Sequence, residues 1–403
     1  MKPGSSVVDR RSSWLRGWDD ASRLHKLLVP EVIFGLGSLA QFGTALRRLG
    51  ASRVLLVSDP GVVAAGWVEA AVPALSRERL KWTLWDGITP NPKDLEVEAG
   101  FSVYVSSGAD AVAAVGGGSS IDAAKGIAIL SACGGRILDY VGIDQVVGPV
   151  PPMVMAPSTA GTGADVTQFC VVTDTSRRLK RTIASRALLP DVSITDPLLL
   201  STVPDEIRAY TALDALSHAI EAHVSAAADF LTDGYALSAI RTIRDNCWAV
   251  VRDSGNLPAQ EAMATASLQA GLAFSNASLG ATHAISHQIG GALDLPHGLL
   301  NAVLLPHVMA FNAEACPERY REVARAVGVD RPSMTDPEAA AAAVDWVTEL
   351  ARGLGVPTRL REIGVALPQI DEYARNALAD AYITTNPREV RFEDARQICL
   401  AAF

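Results

Sequence analysis

The sequence predicts an α/β domain with a parallel sheet, followed by an all-α domain. Two observations lead to this fold class. From about Leu28 to Pro204, short apolar runs rich in β-branched residues alternate with longer runs of helical periodicity, separated by glycines or prolines. After Pro204 the segments are long, alanine-rich and apolar at helical spacing. We therefore divide the chain into a polar N-terminal extension at 1–27, an α/β domain at 28–204 and a helical domain at 205–403.

The elements of the α/β domain follow one another as strand and helix. Strands are predicted at 29–35, 52–59, 80–88, 109–118 and 151–158, with helices between them at 39–50, 62–80, 94–108 and 119–135. Strands joined by helices of this length imply right-handed crossovers, and therefore a mostly parallel, doubly wound sheet. Two further strands, at 166–174 and 181–197, are expected at one side of it.

The helical domain begins with three long predicted helices at 204–225, 230–253 and 258–278. The remainder is mainly helical, with caps at Asp336 and Asn386 and breaks at Pro357 and Pro387.

Composition excludes several classes of protein. Apolar residues make up 49% of the chain and the mean hydropathy is +0.20, which supplies a sizeable core and is too apolar for a disordered chain. The formal net charge is -9 and the pI is about 5.3. Neither nucleic acid nor an anionic membrane is expected as a partner, because both need a basic face.

Three further features point to a cytoplasmic protein. The five cysteines are far apart and form no CxxC pair, which is typical of reduced thiols. The N-terminal MKPGSSVVDRRSSWLRGWDD has no apolar run after its charges, so no signal peptide is expected. Prolines interrupt the weakly charged stretch 146–164, and the stretch 262–313 carries many Asn, Gln and His side chains, so neither is expected to span a membrane.

The histidines are concentrated in the helical domain. Asp214 and His218 lie four residues apart in a predicted helix and therefore on one face, His283 and His287 repeat that spacing, and His297 follows in a Pro-His-Gly turn. One carboxylate and three imidazoles suit Fe(II) or Zn(II). The alternative is that each histidine is an ordinary core residue. The sequence supplies no nearby Lys or Arg to neutralise the Asp214 carboxylate. A buried carboxylate needs a partner of opposite charge, which favours a bound metal cation.

A glycine-rich loop lies in AVAAVGGGSSIDAAKG, where a buried strand runs into Gly116, Gly117, Gly118 and Ser119 and then into a helix. Glycine lets a phosphate approach the backbone, and a helix N-terminus attracts an anion, although a tight turn would use the same residues. A second loop, APSTAGTGAD, follows the next strand, and two such loops are typical of a dinucleotide site. Asp59 ends an earlier strand and could bind an adenosine ribose or cap a helix.

Four motifs together resemble those of the iron-containing (group III) alcohol dehydrogenases, relatives of glycerol dehydrogenase and dehydroquinate synthase. They are GGGSSIDAAK, PSTAGTGADVTQF, ALDALSHAIEAHVS and HAISHQIGGALDLPHGLLNAVLLPHVMAFN, in the family's order. The similarity extends from Leu28 to the end. It implies a dehydroquinate synthase-like fold, in which an α/β NAD-binding domain and an all-helical metal-binding domain enclose the active site between them.

The resemblance also implies roles for individual residues. The metal ligands, for Fe(2+) or alternatively Zn(2+), would be Asp214, His218, His283 and His297. His287 matches a family histidine that transfers protons beside the metal without binding it. Residues expected to contact NAD are Asp59, Asn91, Gly116, Gly117, Gly118, Ser119, Asp122, Ser158, Thr159, Thr162 and Lys180.

The activity expected from the resemblance is reversible hydride transfer between a small primary alcohol and its aldehyde, in a homodimer or higher homo-oligomer. Two alternatives are a regulatory alcohol-dehydrogenase-like protein with little turnover and a dehydroquinate synthase-like lyase, which should need several Lys and Arg near the metal. The chain departs from the family pattern at Ser158, Ala164-Asp165 and His223, which leaves the identity of the alcohol open.

Overall fold

The computed structural model describes residues 26–403. The predictions made for the N-terminal segment, including its polar extension, lie almost entirely outside these residues. The nine strands described are β1 Glu31–Phe34, β2 Arg53–Val57, β3 Lys81–Trp85, β4 Ala111–Gly116, β5 Gly142–Ile143, β6 Met153–Pro157, β7 Phe169–Asp174, β8 Leu179–Ala184 and β9 Val192–Thr195.

Helices α1 to α5 belong to the first half of the chain, and α6 to α14 to the second. The first group is α1 Phe42–Arg48, α2 Pro60–Ala64, α3 Trp67–Arg77, α4 Asp94–Ser107 and α5 Gly118–Cys133. The second group is α6 Asp205–Val224, α7 Phe230–Arg252, α8 Leu257–Ala277, α9 Ala281–Leu293, α10 His297–Ala313, α11 Pro317–Val327, α12 Asp336–Gly353, α13 Ile370–Ala377 and α14 Phe392–Ala401. None of the helices in the described part of the chain has both the length and the apolarity needed to cross a membrane.

The main sheet has six strands in the order β1-β9-β6-β4-β2-β3, and every pair in it is parallel. All six residues of β4 are buried, and its small side chains let helices pack on both faces of the sheet. Gly116 at the end of β4 is in register with Pro157 at the end of β6. The predicted α/β fold class is thus confirmed, and it brings the ends of β2, β4 and β6 to one edge.

Two element predictions for the α/β domain were wrong. The run 181–197 is not one strand beside the main sheet. It splits into β8, which joins β5 and β7 in a separate three-stranded sheet, and β9, which inserts between β1 and β6. The predicted helix at 62–80 is two helices, because Gly66 takes a left-handed conformation (φ 84°) that ends α2 and starts α3.

The small sheet lies against the helical domain. At Gly291 on α9 a Cβ atom would come within 2.7 Å of the backbone at Leu179 and Lys180, so only glycine allows α9 to approach β8 this closely. The core of the helical domain is one continuous cluster of buried side chains in which α6 packs against α7, α8 and α10. Residues of β8 are thereby held beside α9.

Candidate metal centre and cofactor cleft

Four potential ligands converge in the helical domain. Asp214 and His218 project from one face of α6, His283 comes from α9, and His297 is the first residue of α10. One ligand atom from each of the four lies within 4.8 Å of the others. Separate helices position them, so no flexible loop sets the geometry.

Two of the three imidazoles are held by hydrogen bonds on the side that faces away from the centre. His218 Nδ1 lies 3.2 Å from the carbonyl oxygen of Gly161, and His283 Nδ1 donates to the buried carboxylate of Glu221. The opposite imidazole nitrogens then keep their lone pairs. His297 differs, because its Nδ1 is buried with no hydrogen-bond partner among the described residues.

The ligand atoms face a single hydrogen-bond donor. The Nδ2 atom of Asn301, one turn after His297 on α10, lies 2.8 Å from Asp214 Oδ1, 3.0 Å from His283 Nε2 and 3.1 Å from His297 Nε2. Lone pairs from three ligands therefore point toward one position. Three imidazoles and a carboxylate arranged in this way fit a divalent cation of the borderline class.

Electrostatics favour neutral imidazoles at this centre. Burial lowers the pKa of His218 to about 4, and burial also holds the pKa of His297 well below its ordinary value. Both rings are therefore unprotonated at neutral pH and free to bind a cation. Burial raises the pKa of Glu221, but His283 and Thr282 lower it further, so this carboxyl is ionised.

The expectation that no Lys or Arg approaches Asp214 was wrong. Lys180 on β8 is 7% exposed, and its Nζ lies beside Gly290 of α9. Burial lowers the pKa of Lys180 to about 8, while the Asp214 carboxylate acts in the opposite direction. The family resemblance implied a cofactor contact for Lys180, which does line the cavity, but its approach to Asp214 was not predicted because it depends on the packing of β8 on α9.

A cavity of about 100 Å³ connects this centre with the glycine-rich loop. Its walls near the histidines are largely aromatic and aliphatic. Phe274 stacks on His218 with ring centroids 4.4 Å apart, and Phe169 and Tyr382 pack edge to face at 5.4 Å. The residues that line it include Asn91, Gly118, Ser119, Asp122, Thr162, Lys180, His218, His283, His287, His297, Phe169, Phe274, Leu279 and Tyr382.

His287 lines this cavity and is held by a second carboxylate. Its Nδ1 lies 3.0 Å from Asp380 Oδ2, and both side chains are almost fully buried. The pKa of His287 is lowered by burial, and the Asp380 carboxylate partly opposes this effect. The Nε2 atom is left as a proton acceptor.

The glycine-rich loop fits a phosphate group. Gly117 caps α5 with no side chain, so the N–H groups of the first helical turn are not capped by a side chain. A Cβ atom at Gly118 would lie 2.6 Å from Thr162 Cγ2, and one at Gly117 would lie 3.4 Å from Thr159. The two predicted loops therefore face each other across a cradle lined by backbone N–H groups and hydroxyls.

The other predicted cofactor residues are distributed around this cradle. Asp59 Oδ1 caps α2 by accepting from Val62 N at 3.0 Å, and its Oδ2 accepts from Ser120 Oγ on α5 at 3.0 Å. The carboxylate thus caps a helix and lies beside Gly116. Burial raises the pKa of Asp122 to about 7. Ser158 is 4% exposed, and its side chain does not line the cavity.

Asn91 makes contacts that the sequence did not predict. Its Nδ2 donates to Asp294 Oδ1 at 2.9 Å and to the carbonyl oxygen of Leu295 at 3.2 Å, in the turn between α9 and α10. Lys93 reaches the same carboxylate at 3.1 Å. Asn91 therefore joins the two domains at the edge of the cavity.

Of the departures from the family pattern, His223 and Asp165 lie away from the cavity wall, as Ser158 does. His223 is fully buried, with its Nδ1 3.0 Å from Asp233 Oδ1, and Arg319 pairs with the same carboxylate. Asp165 accepts from Ser193 Oγ at 2.6 Å. Ala164 does line the cavity.

Three residues of this site were missed by sequence reasoning. Glu221 follows Asp214 and His218 on the same face of α6 (i, i+4, i+7), and Asn301 lies four residues after His297, so both carried a signal. Asp380 carried none, because it is far from His287 in sequence and in a segment without a motif.

A dinucleotide-type cradle facing a candidate metal centre is the arrangement that a metal-dependent, NAD-linked oxidoreductase needs. Residues 30–197 match the family described as "Iron-containing alcohol dehydrogenase", and residues 208–403 match "Fe-containing alcohol dehydrogenase family, C-terminal". The chain therefore belongs to the iron-containing alcohol dehydrogenase family, as predicted. The family implies a metal ion and NAD(H).

Individual relatives agree with this assignment over nearly the whole length. The chain is 40% identical over 384 residues to the 1,3-propanediol dehydrogenase of Klebsiella pneumoniae, covering 94% of this chain and 99% of that protein. It is 37% identical over 371 residues to the NAD-dependent methanol dehydrogenase of Bacillus methanolicus, covering 92% and 97%. Its fold is similar to the crystal structure of a 1,3-propanediol oxidoreductase, with a TM-score of 0.92, 40% identity and coverage of 94% and 100%.

Proposed function

We propose that the protein is a metal-dependent, NAD-linked dehydrogenase that interconverts a small primary alcohol and its aldehyde. One observation carries the proposal: four potential ligand atoms converge within 4.8 Å of one another, and the three histidines among them line the cavity that the N-terminal end of α5 enters. A substrate oxygen at the metal centre and a nicotinamide extending from the glycine-rich loop would therefore meet in one enclosed space.

Asp214, His218, His283 and His297 would hold the cation, Fe(2+) or alternatively Zn(2+), and the two loops would hold NAD. When bound, the cation would supply a Lewis acid and NAD a hydride acceptor. His287 would accept the proton of the alcohol at Nε2, while its Nδ1–H is held by Asp380. The aromatic wall would exclude water from the reacting atoms.

The shape and polarity of the cavity support a small, uncharged substrate. Phe169, Phe274, Leu279 and Tyr382 form an apolar wall suited to a short alkyl chain, and Lys180 is the one cation among the described lining residues. The names of the two relatives, a propanediol and a methanol dehydrogenase, agree with a small alcohol. A polyanionic substrate, as in the lyase alternative, would find little charge to bind.

The test is NADH formation from a series of primary alcohols, from ethanol to hexanol, after loading the protein with Fe(II) or Zn(II). We expect turnover that depends on the metal and falls with the longest chains. A protein that binds metal and NAD yet forms no NADH with any of these alcohols would contradict the proposal and favour the regulatory alternative.

We further propose a cytoplasmic homodimer or higher homo-oligomer. The five cysteines are unpaired and four of them are buried, which suits a reducing compartment. Analytical ultracentrifugation tests the oligomeric state directly.

A further inference from the structure

We infer that Glu221 is a positioning residue for His283 and that only a carboxylate can fill this role. The inference rests on the proposed function, because His283 is one of the ligands proposed there. Glu221 lies on α6, one turn beyond His218, and its side chain is 3% exposed beneath the first turn of α9.

Two donors face the two oxygens of Glu221. The backbone N–H of Thr282 donates to Oε1 at 2.7 Å, and His283 Nδ1 donates to Oε2. A backbone N–H is always a donor, so Oε1 must accept. With both oxygens accepting, His283 carries its proton on Nδ1 and presents the lone pair of Nε2 toward Asp214 and His297.

An amide of the same shape could not satisfy both partners. If the Gln oxygen faced Thr282 N–H, its NH2 group would donate to His283 Nδ1, and the ring proton would move to Nε2, the atom needed for the cation. If the amide were turned round, its NH2 group would face the Thr282 N–H donor. Glu221→Gln therefore loses either the ligand tautomer or the bond to Thr282.

The same carboxylate also starts α9. The helix is preceded by Gly280, which offers no side-chain cap, and its first N–H groups are satisfied from elsewhere in the fold. Asn386 Oδ1 accepts from Ala281 N at 3.1 Å, and Glu221 accepts from Thr282 N. Helix initiation and ligand orientation thus share one residue. Asn386 also hydrogen-bonds Asn312 and the carbonyl oxygen of Arg388 but none of the four proposed ligands, so it offers a control for helix initiation without ligand orientation.

The experiment measures Zn(2+) affinity by competition with a chromophoric chelator for the wild type, Glu221→Gln and Asn386→Ala. We expect Glu221→Gln to bind Zn(2+) roughly tenfold to hundredfold more weakly than the wild type, the effect typical of removing an outer carboxylate. Asn386→Ala should lower the melting temperature and keep its Zn(2+) affinity. NAD binding by each variant shows that the α/β domain is folded.

If the wild type binds Zn(2+) tightly, three outcomes would overturn this inference and leave the proposed function standing. They are an unchanged affinity in Glu221→Gln, an equal loss in both variants, and an Nε2–H tautomer of His283. The tautomer is measured on the metal-free wild type by ¹⁵N NMR of labelled histidines, assigned with His283→Ala, so it remains testable if Glu221→Gln does not fold. Absence of stoichiometric Zn(2+) binding by the wild type would instead overturn the proposed function and this inference together.

Discussion

Replacing Gly298 by alanine tests whether the contact between α6 and α10 sets the geometry of the metal centre. Gly298 directly follows His297, and a Cβ atom there would lie 2.3 Å from the carbonyl oxygen of Tyr210 and 3.1 Å from Asp214 Cβ. An ordinary contact between non-bonded heavy atoms is roughly 3.5 Å, so the helices would have to move apart by about 1 Å. No rotamer change relieves the clash, because the Tyr210 atom belongs to the backbone.

The expected cost follows from that displacement. Overpacking of a core typically costs about 1–3 kcal/mol, which for a domain of this size lowers the melting temperature by roughly 2–12 °C. Metal–ligand distances tolerate only about 0.2 Å, so separating His297 from Asp214 should also weaken metal binding. Calorimetry of the metal-free protein and elemental analysis after metal loading measure the two effects.

A matched control lies on α7. Nothing is within 4 Å of a Cβ atom at Gly234, so alanine there should raise stability by up to about 1 kcal/mol through helix propensity alone. If Gly298→Ala has the melting temperature of the wild type and carries a full equivalent of metal, the α6–α10 contact does not determine the geometry of the metal centre, and the reasoning is refuted.

Three further predictions concern the proposed roles of single residues. His283→Ala should lose about one equivalent of metal and all turnover while keeping NAD affinity, and full metal content by elemental analysis would exclude it as a ligand. Asp59→Gly should narrow a preference for NAD over NADP, because a carboxylate beside the ribose repels the 2'-phosphate; a higher wild-type kcat/KM with NADP would contradict this. His287→Ala should keep its metal and lose about tenfold to thousandfold in kcat. Because burial lowers the pKa of His287, the wild-type rate of alcohol oxidation should hold at neutral pH and fall only as the pH drops through that lowered pKa, where the ring becomes protonated. This decline should be absent in His287→Ala. If the rate of that variant still falls at acidic pH, the decline belongs to another titrating group.

Local patterns predicted the parts of the fold and site that depend on spacing along one element. Asp214 and His218 share a helical face because of their four-residue spacing, and strand–helix alternation alone implied a parallel sheet. Periodicity could not decide which sheet receives a strand. For that reason β8 and β9 were predicted as one run, although their partners lie in different sheets.

Contacts between distant segments were the part that could not be predicted. The family resemblance implied a cofactor contact for Lys180, but its approach to α9 and Asp214 depends on the packing of β8. Asp380 reaches His287 from the segment after α13, and nothing near it in sequence indicates that partner. The role of Glu221 could have been predicted from the sequence. It is the third ionisable residue on the helix face that carries Asp214 and His218, and a carboxylate buried there needs a hydrogen-bond donor.

The pairing of β1 with β9 restricts the order in which the chain can fold during synthesis. Among the described residues, β1 (Glu31–Phe34) pairs only with β9 (Val192–Thr195), which in turn lies against β6. The nascent β1 therefore has no sheet partner until almost the whole domain has left the ribosome, whereas β2, β3 and β4 can pair much earlier. A chain truncated before Asp191 would expose both the β1 backbone and the open edge of β6, and such unpaired edges bind other chains. Release of incomplete chains should thus lead to aggregation, while the addition of the five residues 191–195 closes the sheet.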